Sequence, residues 1–196
     1  MKKKEIYIDD NQKFEDTYII YPEIYEDERG FFYESWNQKD FDKTLDKKVR
    51  FCQDNQSESK FGVLRGMHFQ TTPYAQAKLV RCSYGKIFDV IVDLRIKSKT
   101  FGKWFGIYLT AENKTILWVP EGFAHGFLTV SNYAVVQYKT DNFWDKESEQ
   151  GILWDDPTLN ISWPLEKYKI KKPILSKKDA ALKNFINLKD SNKLFK

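Results

Sequence analysis

The chain carries only two histidines, and each stands where its surroundings suit proton chemistry. His68 lies in Gly62-Val63-Leu64-Arg65-Gly66-Met67-His68-Phe69-Gln70. On a strand, Val63, Arg65, Met67 and Phe69 point one way, and Leu64, Gly66, His68 and Gln70 the other. His68 and Gln70 then share a face with a glycine that leaves open space beside them. An imidazole in that position titrates near neutral pH and can take or give a proton. A satisfied core histidine is the bland alternative for any lone imidazole, so its neighbours must decide.

The second histidine ends Pro120-Glu121-Gly122-Phe123-Ala124-His125, a turn that delivers an imidazole to the mouth of the next strand. Basic side chains form another group: Arg29, Arg65, Lys78 and Arg81. Lys78 and Val80 face opposite to Leu79 and Arg81, so Arg81 is expected at the surface. An arginine within an apolar strand, as Arg65 is, must find an anion or bear a large desolvation penalty. Its planar fork suits a phosphate. Gln53-Asp54-Asn55-Gln56 offers amides to sugar hydroxyls, or is simply a strand-end turn. Tyr138 closes an apolar strand, where its phenol either packs or complements His68 across a cavity. Neither GxGxxG nor GxxxxGK[ST] occurs, which argues against dinucleotide and P-loop binding.

These groups need a frame. At 196 residues the chain suits one domain, and its 15 Phe, 11 Tyr and 6 Trp favour β-structure. The net charge of +4 comes from 32 basic and 28 acidic residues, largely interspersed. The lysine runs at residues 2–4 and from Lys167 onward read as solvated surface, not a nucleic-acid patch. A modest positive balance suits a small anionic substrate. Cys52 and Cys82 form no disulfide framework, which predicts a reducing compartment. With no apolar leader and no run of transmembrane length, a cytoplasmic protein without membrane contact is expected.

Residues 17–21 and 31–36 read as two strands around the turn Asp27-Glu28-Arg29-Gly30. Residues 37–48 read as a short amphipathic helix with Phe41 and Leu45 four apart. Strands are then expected at 49–54, 62–70, 78–84, 87–95, 104–110, 115–119, 126–130 and 134–140. Turn chemistry separates them at 55–57, 84–86, 112–114 and 120–122. Such regular short strands indicate an all-β sandwich or barrel. Ser176 is a plausible N-cap for a helix over 180–188, and residues after Lys189 are expected to fray.

The Pro-x-Gly-x-x-His run resembles the second motif of cupins, whose jelly-roll barrels often hold a metal. A first-row metal there takes two or three histidines and a carboxylate. Here His68-Phe69-Gln70 replaces the His-x-His of such sites, so no metal is expected and the histidines are left for proton transfer. The chain as a whole resembles the dTDP-4-dehydrorhamnose 3,5-epimerase family over about residues 17–182. The matching stretches include Asp27 to Phe32, Gln53-Asp54-Asn55, Leu64 to Gln70, Gln76 to Arg81, Phe88-Asp89-Val90, Asp93-Leu94-Arg95 and Phe101 to Trp104. Pro120 to Phe127, Gly151 to Pro157 and Ser176 to Asp179 complete them.

The resemblance implies a cupin-type jelly roll (a double-stranded β-helix) with short flanking helices. The implied substrate is a nucleoside-diphosphate 4-keto-6-deoxy sugar, dTDP- or GDP-linked, in surface-glycan precursor synthesis. It implies His68 as base, Asp179 as its orienting partner, Tyr138 as acid from the opposite face, and Lys78 beside the developing enolate. Arg29, Glu34, Gln53, Asn55, Arg65, His125, Glu149 and Lys178 match nucleotide- and sugar-holding positions. Where family members commonly carry Cys-Thr-Asp-Tyr-Tyr, this chain reads Thr140-Asp141-Asn142-Phe143-Trp144, so Trp144 is the aromatic contact there, without a hydroxyl. No cofactor is needed, since hydrogen leaves as a proton. A homodimer that exchanges the segment 17–36 is implied, with Arg29 completing the partner's site. The rivals are an epimerase of C3 alone, a GDP-4-keto-6-deoxy-heptose 3,5-epimerase, a 3,4-ketoisomerase, and a non-catalytic sugar-binding module.

Overall fold

The computed structural model describes every residue except Asp10, Asp190 and Asn192. The strands are β1 Lys2–Asp9, β2 Gln12–Tyr21, β3 Tyr25–Asp27, β4 Gly30–Phe32, β5 Gln53–Lys60, β6 Leu64–Gln70 and β7 Lys78–Tyr84. They continue as β8 Lys86–Asp93, β9 Trp104–Thr110, β10 Ile116–Val119, β11 Phe123–Thr129, β12 Tyr133–Thr140 and β13 Glu149–Gly151. Helix α1 spans Gln38–Leu45 and α2 spans Phe185–Lys189, with one 3-10 turn at Asp179–Ala181. A six-stranded sheet has the order β1-β2-β10-β7-β12-β5, and a five-stranded sheet the order β13-β6-β11-β8-β9. A separate hairpin joins β3 to β4.

The alternation of β8 explains how the layers stack. Ile87 and Ile91 turn inward and join Val80, Leu117, Val136 and Phe127 between the two sheets. Phe88, Val90 and Val92 turn outward and pack with Leu64, Met67, Leu128 and the C-terminal side chains Leu159, Trp163 and Phe185. A strand covered on both faces reads as a continuous apolar run, which is how β8 reads. Each such large side chain contributes roughly 1.5–3 kcal/mol on burial. The outer face of the six-stranded sheet is covered by α1, whose Phe41 and Leu45 pack on Ile20, Leu79, Ile116 and Trp118. Asn37 caps that helix by accepting the Asp40 N–H, and Asp46 ends it in the left-handed region at φ 56°.

The all-β architecture and α1 match the sequence expectations, but several local ones fail. Strand β1 was hidden, because Ile6 is its one buried side chain in a lysine-rich run. The expected strand 49–54 and turn 55–57 are displaced by β5 at Gln53–Lys60, which pairs with β12 along its full length. Its polar composition suits an edge strand, since one face is exposed and the other lines a polar cavity. The expected helix 180–188 is interrupted, because Lys183 pairs with Ile152 in a parallel bridge. The described end of the chain is docked, not frayed: Leu194 is buried and Phe195 pairs with Arg95. Residues 190 and 192 of that stretch lie outside the described residues.

The alternation expected over 62–70 also breaks. Between His68 and Arg65, β6 holds two residues where β11 holds one between His125 and Phe127. This bulge at Gly66-Met67 turns Arg65 and His68 toward the same cavity while Leu64, Met67 and Phe69 stay in the core. Gly66 has φ +118°, and a Cβ there would meet Gly126 Cα at 2.5 Å and His125 O at 2.8 Å. Two glycines thus let β6 and β11 approach where the histidines are paired.

Candidate active site

One end of the inter-sheet space opens into a polar cavity of about 360 Å³. Its walls come from both sheets: Asn55 and Ser57 of β5, Lys78 of β7 and Tyr138 of β12 face Arg65 and His68 of β6 and His125 of β11. Ser176, Lys178 and Asp179 close one side. Lys78 and Tyr138 reach it by the same alternation that sends Arg81 outward, where it donates to the Tyr33 hydroxyl at 3.0 Å.

Each imidazole is held by a carboxylate. His68 Nε2 lies 2.6 Å from Asp179 Oδ1. Asp179 is buried, and its N–H donates to Ser176 Oγ at 3.0 Å. Burial would raise the Asp179 carboxyl, but hydrogen bonds from His68 and Ser176 and the nearby Lys178 hold it below the ordinary carboxylate value. With Nε2–H donating to that carboxylate, Nδ1 is the ring nitrogen left to accept a proton. His125 Nε2 is 3.1 and 2.9 Å from the two oxygens of Asp89, which is fully buried. Asp89 had no role on sequence grounds, although a lone carboxylate in the apolar run of β8 was the available signal.

Lys78 is buried, with its ammonium 3.4 Å from the His68 carbonyl oxygen. Burial pushes it down to about 8, against the opposing pull of Asp89 and Glu149. A buried cation there is a strong electrostatic feature of the cavity. Burial and the Glu149 charge push the Tyr138 phenol above its ordinary value, so it is protonated at neutral pH.

The other expected positions divide. Asn55, Arg65, His125 and Lys178 line the cavity, and Glu149 pairs with Lys178 at 2.5 Å. Arg65 is exposed, not buried, and bonds Ser59 Oγ and Glu58 O, so the desolvation argument made for it fails. Gln53 donates to Asn55 Oδ1 at 2.8 Å and accepts the Trp144 N–H at 3.0 Å. Trp144 itself is exposed and does not line the cavity, but Gln53 links its backbone to Asn55 on the cavity wall. Gln70 is not beside His68 in the cavity: it is buried and bonded to neighbouring loops. Arg29 and Glu34 are not brought to this cavity. Arg29 sits in the β3–β4 hairpin paired with Asp27, and Glu34 bonds Asn37. Among the described residues no three or more His, Cys, Asp or Glu side chains group as a metal site. Among the described residues no helix is long and apolar enough to cross a membrane.

A proton acceptor tied to a carboxylate, a buried cation and a protonated phenol around one cavity suit removal and return of a proton beside a carbonyl. Comparison with known proteins agrees. The sequence profile of the dTDP-4-dehydrorhamnose 3,5-epimerase family matches residues 11–187. The Shigella flexneri dTDP-4-dehydrorhamnose 3,5-epimerase is 54% identical over 172 residues, 88% of this chain and 92% of that protein. The Legionella pneumophila dTDP-6-deoxy-D-glucose-3,5-epimerase, solved with dTDP-4-keto-L-rhamnose, superposes with a TM-score of 0.88 at 44% identity, covering 99% of this chain and 98% of that one. A Streptomyces bikiniensis 3'-monoepimerase solved with dTDP-quinovose is more distant, at 29% identity and a TM-score of 0.84 over 91% and 88% of the two chains. The fold is therefore the cupin-type jelly roll of these enzymes, and the chain belongs to the dTDP-4-dehydrorhamnose 3,5-epimerase family.

Proposed function

We propose that this chain is an isomerase that inverts both C3 and C5 of a dTDP-linked 4-keto-6-deoxy sugar. The observation that carries the reading is the placement of His68, bonded to Asp179, and Tyr138 on opposite sheets around one cavity. His68 takes the proton from the carbon next to the ketone, and the electron pair moves to the carbonyl oxygen as an enolate. The Lys78 ammonium offsets that charge. Tyr138 gives its proton to the opposite face of the same carbon, and solvent resets both groups. Each proton-transfer group is worth about 10²–10⁴-fold.

Asn55, Arg65, His125 and Lys178 hold the diphosphate and sugar, while Gln53 and Trp144 meet the nucleotide end. The 54% identity to a 3,5-epimerase against 29% to a 3'-monoepimerase favours inversion at two carbons. Both relatives solved with sugar ligands carry dTDP, which favours that nucleotide over a GDP-linked heptose. The enzyme works as a cytoplasmic homodimer. Tyr25, Phe31 and Phe32 project from the β3–β4 hairpin at 57%, 57% and 67% exposure, and a partner subunit would cover them. Arg29, in that hairpin, then enters the partner's cavity.

The test is incubation with dTDP-4-keto-6-deoxy-glucose in D₂O, followed by NMR. Deuterium at C3 and C5 with the ketone still at C4 is the expected result. Label at C3 alone, or a carbonyl moved to C3, would overturn the assignment.

A further inference from the structure

Gln70 occupies the place in the His68-Phe69-Gln70 run where a metal-holding barrel would present a second imidazole, yet its side chain is turned out of the cavity and fully engaged. It is 4% exposed. Its Nε2 donates to Tyr74 O at 2.6 Å and to Phe143 O at 3.1 Å, and its Oε1 accepts the Asp145 N–H at 2.8 Å. Both carboxamide hydrogens and the oxygen are therefore used. The two loop contacts fall on the residues immediately before and after Trp144.

The same loop is tied elsewhere. Gln76 Nε2 donates to Asn142 O at 2.8 Å, and Trp144 N–H donates to Gln53 Oε1 on the opposite sheet. Gln53 in turn donates to Asn55 on the cavity wall. The Trp144 ring is 55% exposed and, among the described residues, makes no aromatic pair. Its position is set by its backbone, and its backbone is clamped between Gln70 of β6 and Gln53 of β5.

We propose that Gln70 is a positioning residue for nucleotide binding: its buried carboxamide fixes the Phe143–Asp145 backbone and so holds Trp144 beside Gln53, next to the Asn55 wall of the cavity. The inference rests on the reading of Trp144 as a contact for the nucleotide end. The contribution is preorganisation: an aromatic already ordered loses less entropy when a base or sugar settles on it. Gln70 touches no reacting atom, so the chemical step is not its concern.

The experiment compares Gln70→Met, Trp144→Ala and the double variant, by steady-state kinetics with the dTDP-sugar and by calorimetric titration with dTDP. Met keeps the length and apolar bulk but makes none of the three hydrogen bonds. The expected result for Gln70→Met is a KM and a dTDP Kd raised about tenfold, with kcat within about threefold of wild type. If Gln70 acts through Trp144, the double variant binds no more weakly than Trp144→Ala alone. Additive losses in the double variant, or a kcat loss with KM unchanged, overturn the proposal. Normal binding by Gln70→Met alongside weakened Trp144→Ala overturns it while leaving Trp144 as a contact. Normal binding by Trp144→Ala overturns both. Should Gln70→Met fail to fold, Gln76→Met loosens the same loop from a half-buried position, and its KM must rise in the same sense.

Discussion

His68 Nε2 lies 2.6 Å from Asp179 Oδ1, although 111 residues separate the two. The carboxylate arrives on a strap laid beside β6. Parallel bridges tie that strap at Ile174 to Val63 and at Lys183 to Ile152, on either side of Asp179. Lys178, next in line, is anchored to Glu149 on β13, the strand paired with β6. Asp179 is thus fixed to the strand that carries His68.

Asp179→Asn keeps the shape and removes the charge that orients and stabilises the imidazole. The expected effect is a kcat reduced by about 10²–10⁴-fold with a much smaller change in KM. Because the folded Asp179 holds its proton less tightly than an unfolded one, its ionisation adds stability above the unfolded carboxylate pKa. That contribution disappears as pH falls through the lower folded value. Melting curves of wild type and variant should differ near neutrality and converge in acid, once pH has fallen below the ordinary carboxylate value and through the lower folded one. A variant with unaltered kcat would remove Asp179 from the mechanism.

Lys78 predicts an alkaline limb. The proposed mechanism requires its ammonium, and burial brings its pKa to about 8. Tyr138 is displaced upward by burial and Glu149, so it keeps its proton where Lys78 is losing one. As pH rises through about 8, kcat should fall. Lys78→Gln should lose about 10²–10³-fold below about pH 8, with the limb abolished, so that its deficit narrows as the wild type declines. A flat profile to high pH in the wild type would show that Lys78 stays charged or is not needed.

Gly66 tests the bulge. Its φ of +118° and the 2.5 Å approach that a Cβ would make to Gly126 leave no room for Ala. Gly66→Ala should destabilise by roughly 1–3 kcal/mol in denaturant titration and reduce turnover, since β6 must move from β11 and carry His68 with it. Stability within about 0.5 kcal/mol of wild type would show that the strands accommodate a side chain there.

Arg29 offers a test of subunit exchange. In this chain it lies in an exposed hairpin paired with Asp27, away from His68. Arg29→Ala and His68→Asn homodimers should each be impaired. Mixed and allowed to exchange, they form hybrids in which one cavity has both a wild-type His68 and a partner subunit's Arg29. Activity should rise on mixing toward a quarter of wild type (about one site in four intact under random pairing). No recovery after proven subunit exchange would place Arg29 outside the partner's site.

What the sequence disclosed follows from what alternation can encode. Lys78 was legible because parity on β7 sets it and Val80 opposite Arg81, whereas Tyr138 stayed open between packing and facing His68, and the resemblance supplied its role. Arg65 was misread because the bulge at Gly66-Met67 shifts parity by one, and nothing local marks a bulge except its glycine. Strand β5 was missed because its inner residues line a polar cavity and its outer ones face water, leaving no hydrophobic period. Asp89 was passed over because its partner lies 36 residues away on a neighbouring strand. The resemblance supplied Asp179, a pairing that no local pattern contains.

The last prediction separates base from acid. His68→Asn replaces the imidazole proposed to take the proton with an amide that accepts none. It should abolish both inversion and deuterium uptake from D₂O. Tyr138→Phe keeps the ring and deletes the hydroxyl, so the barrel should fold unchanged. The enolate still forms in that variant, and His68 can return a deuteron to the face it came from. Tyr138→Phe should therefore exchange deuterium into the substrate without inverting it. The decisive measurement is deuterium incorporation set against epimer formation for both variants. Equal loss of exchange in the two would mean that proton removal itself requires Tyr138, and inversion by His68→Asn would show that another group is the base.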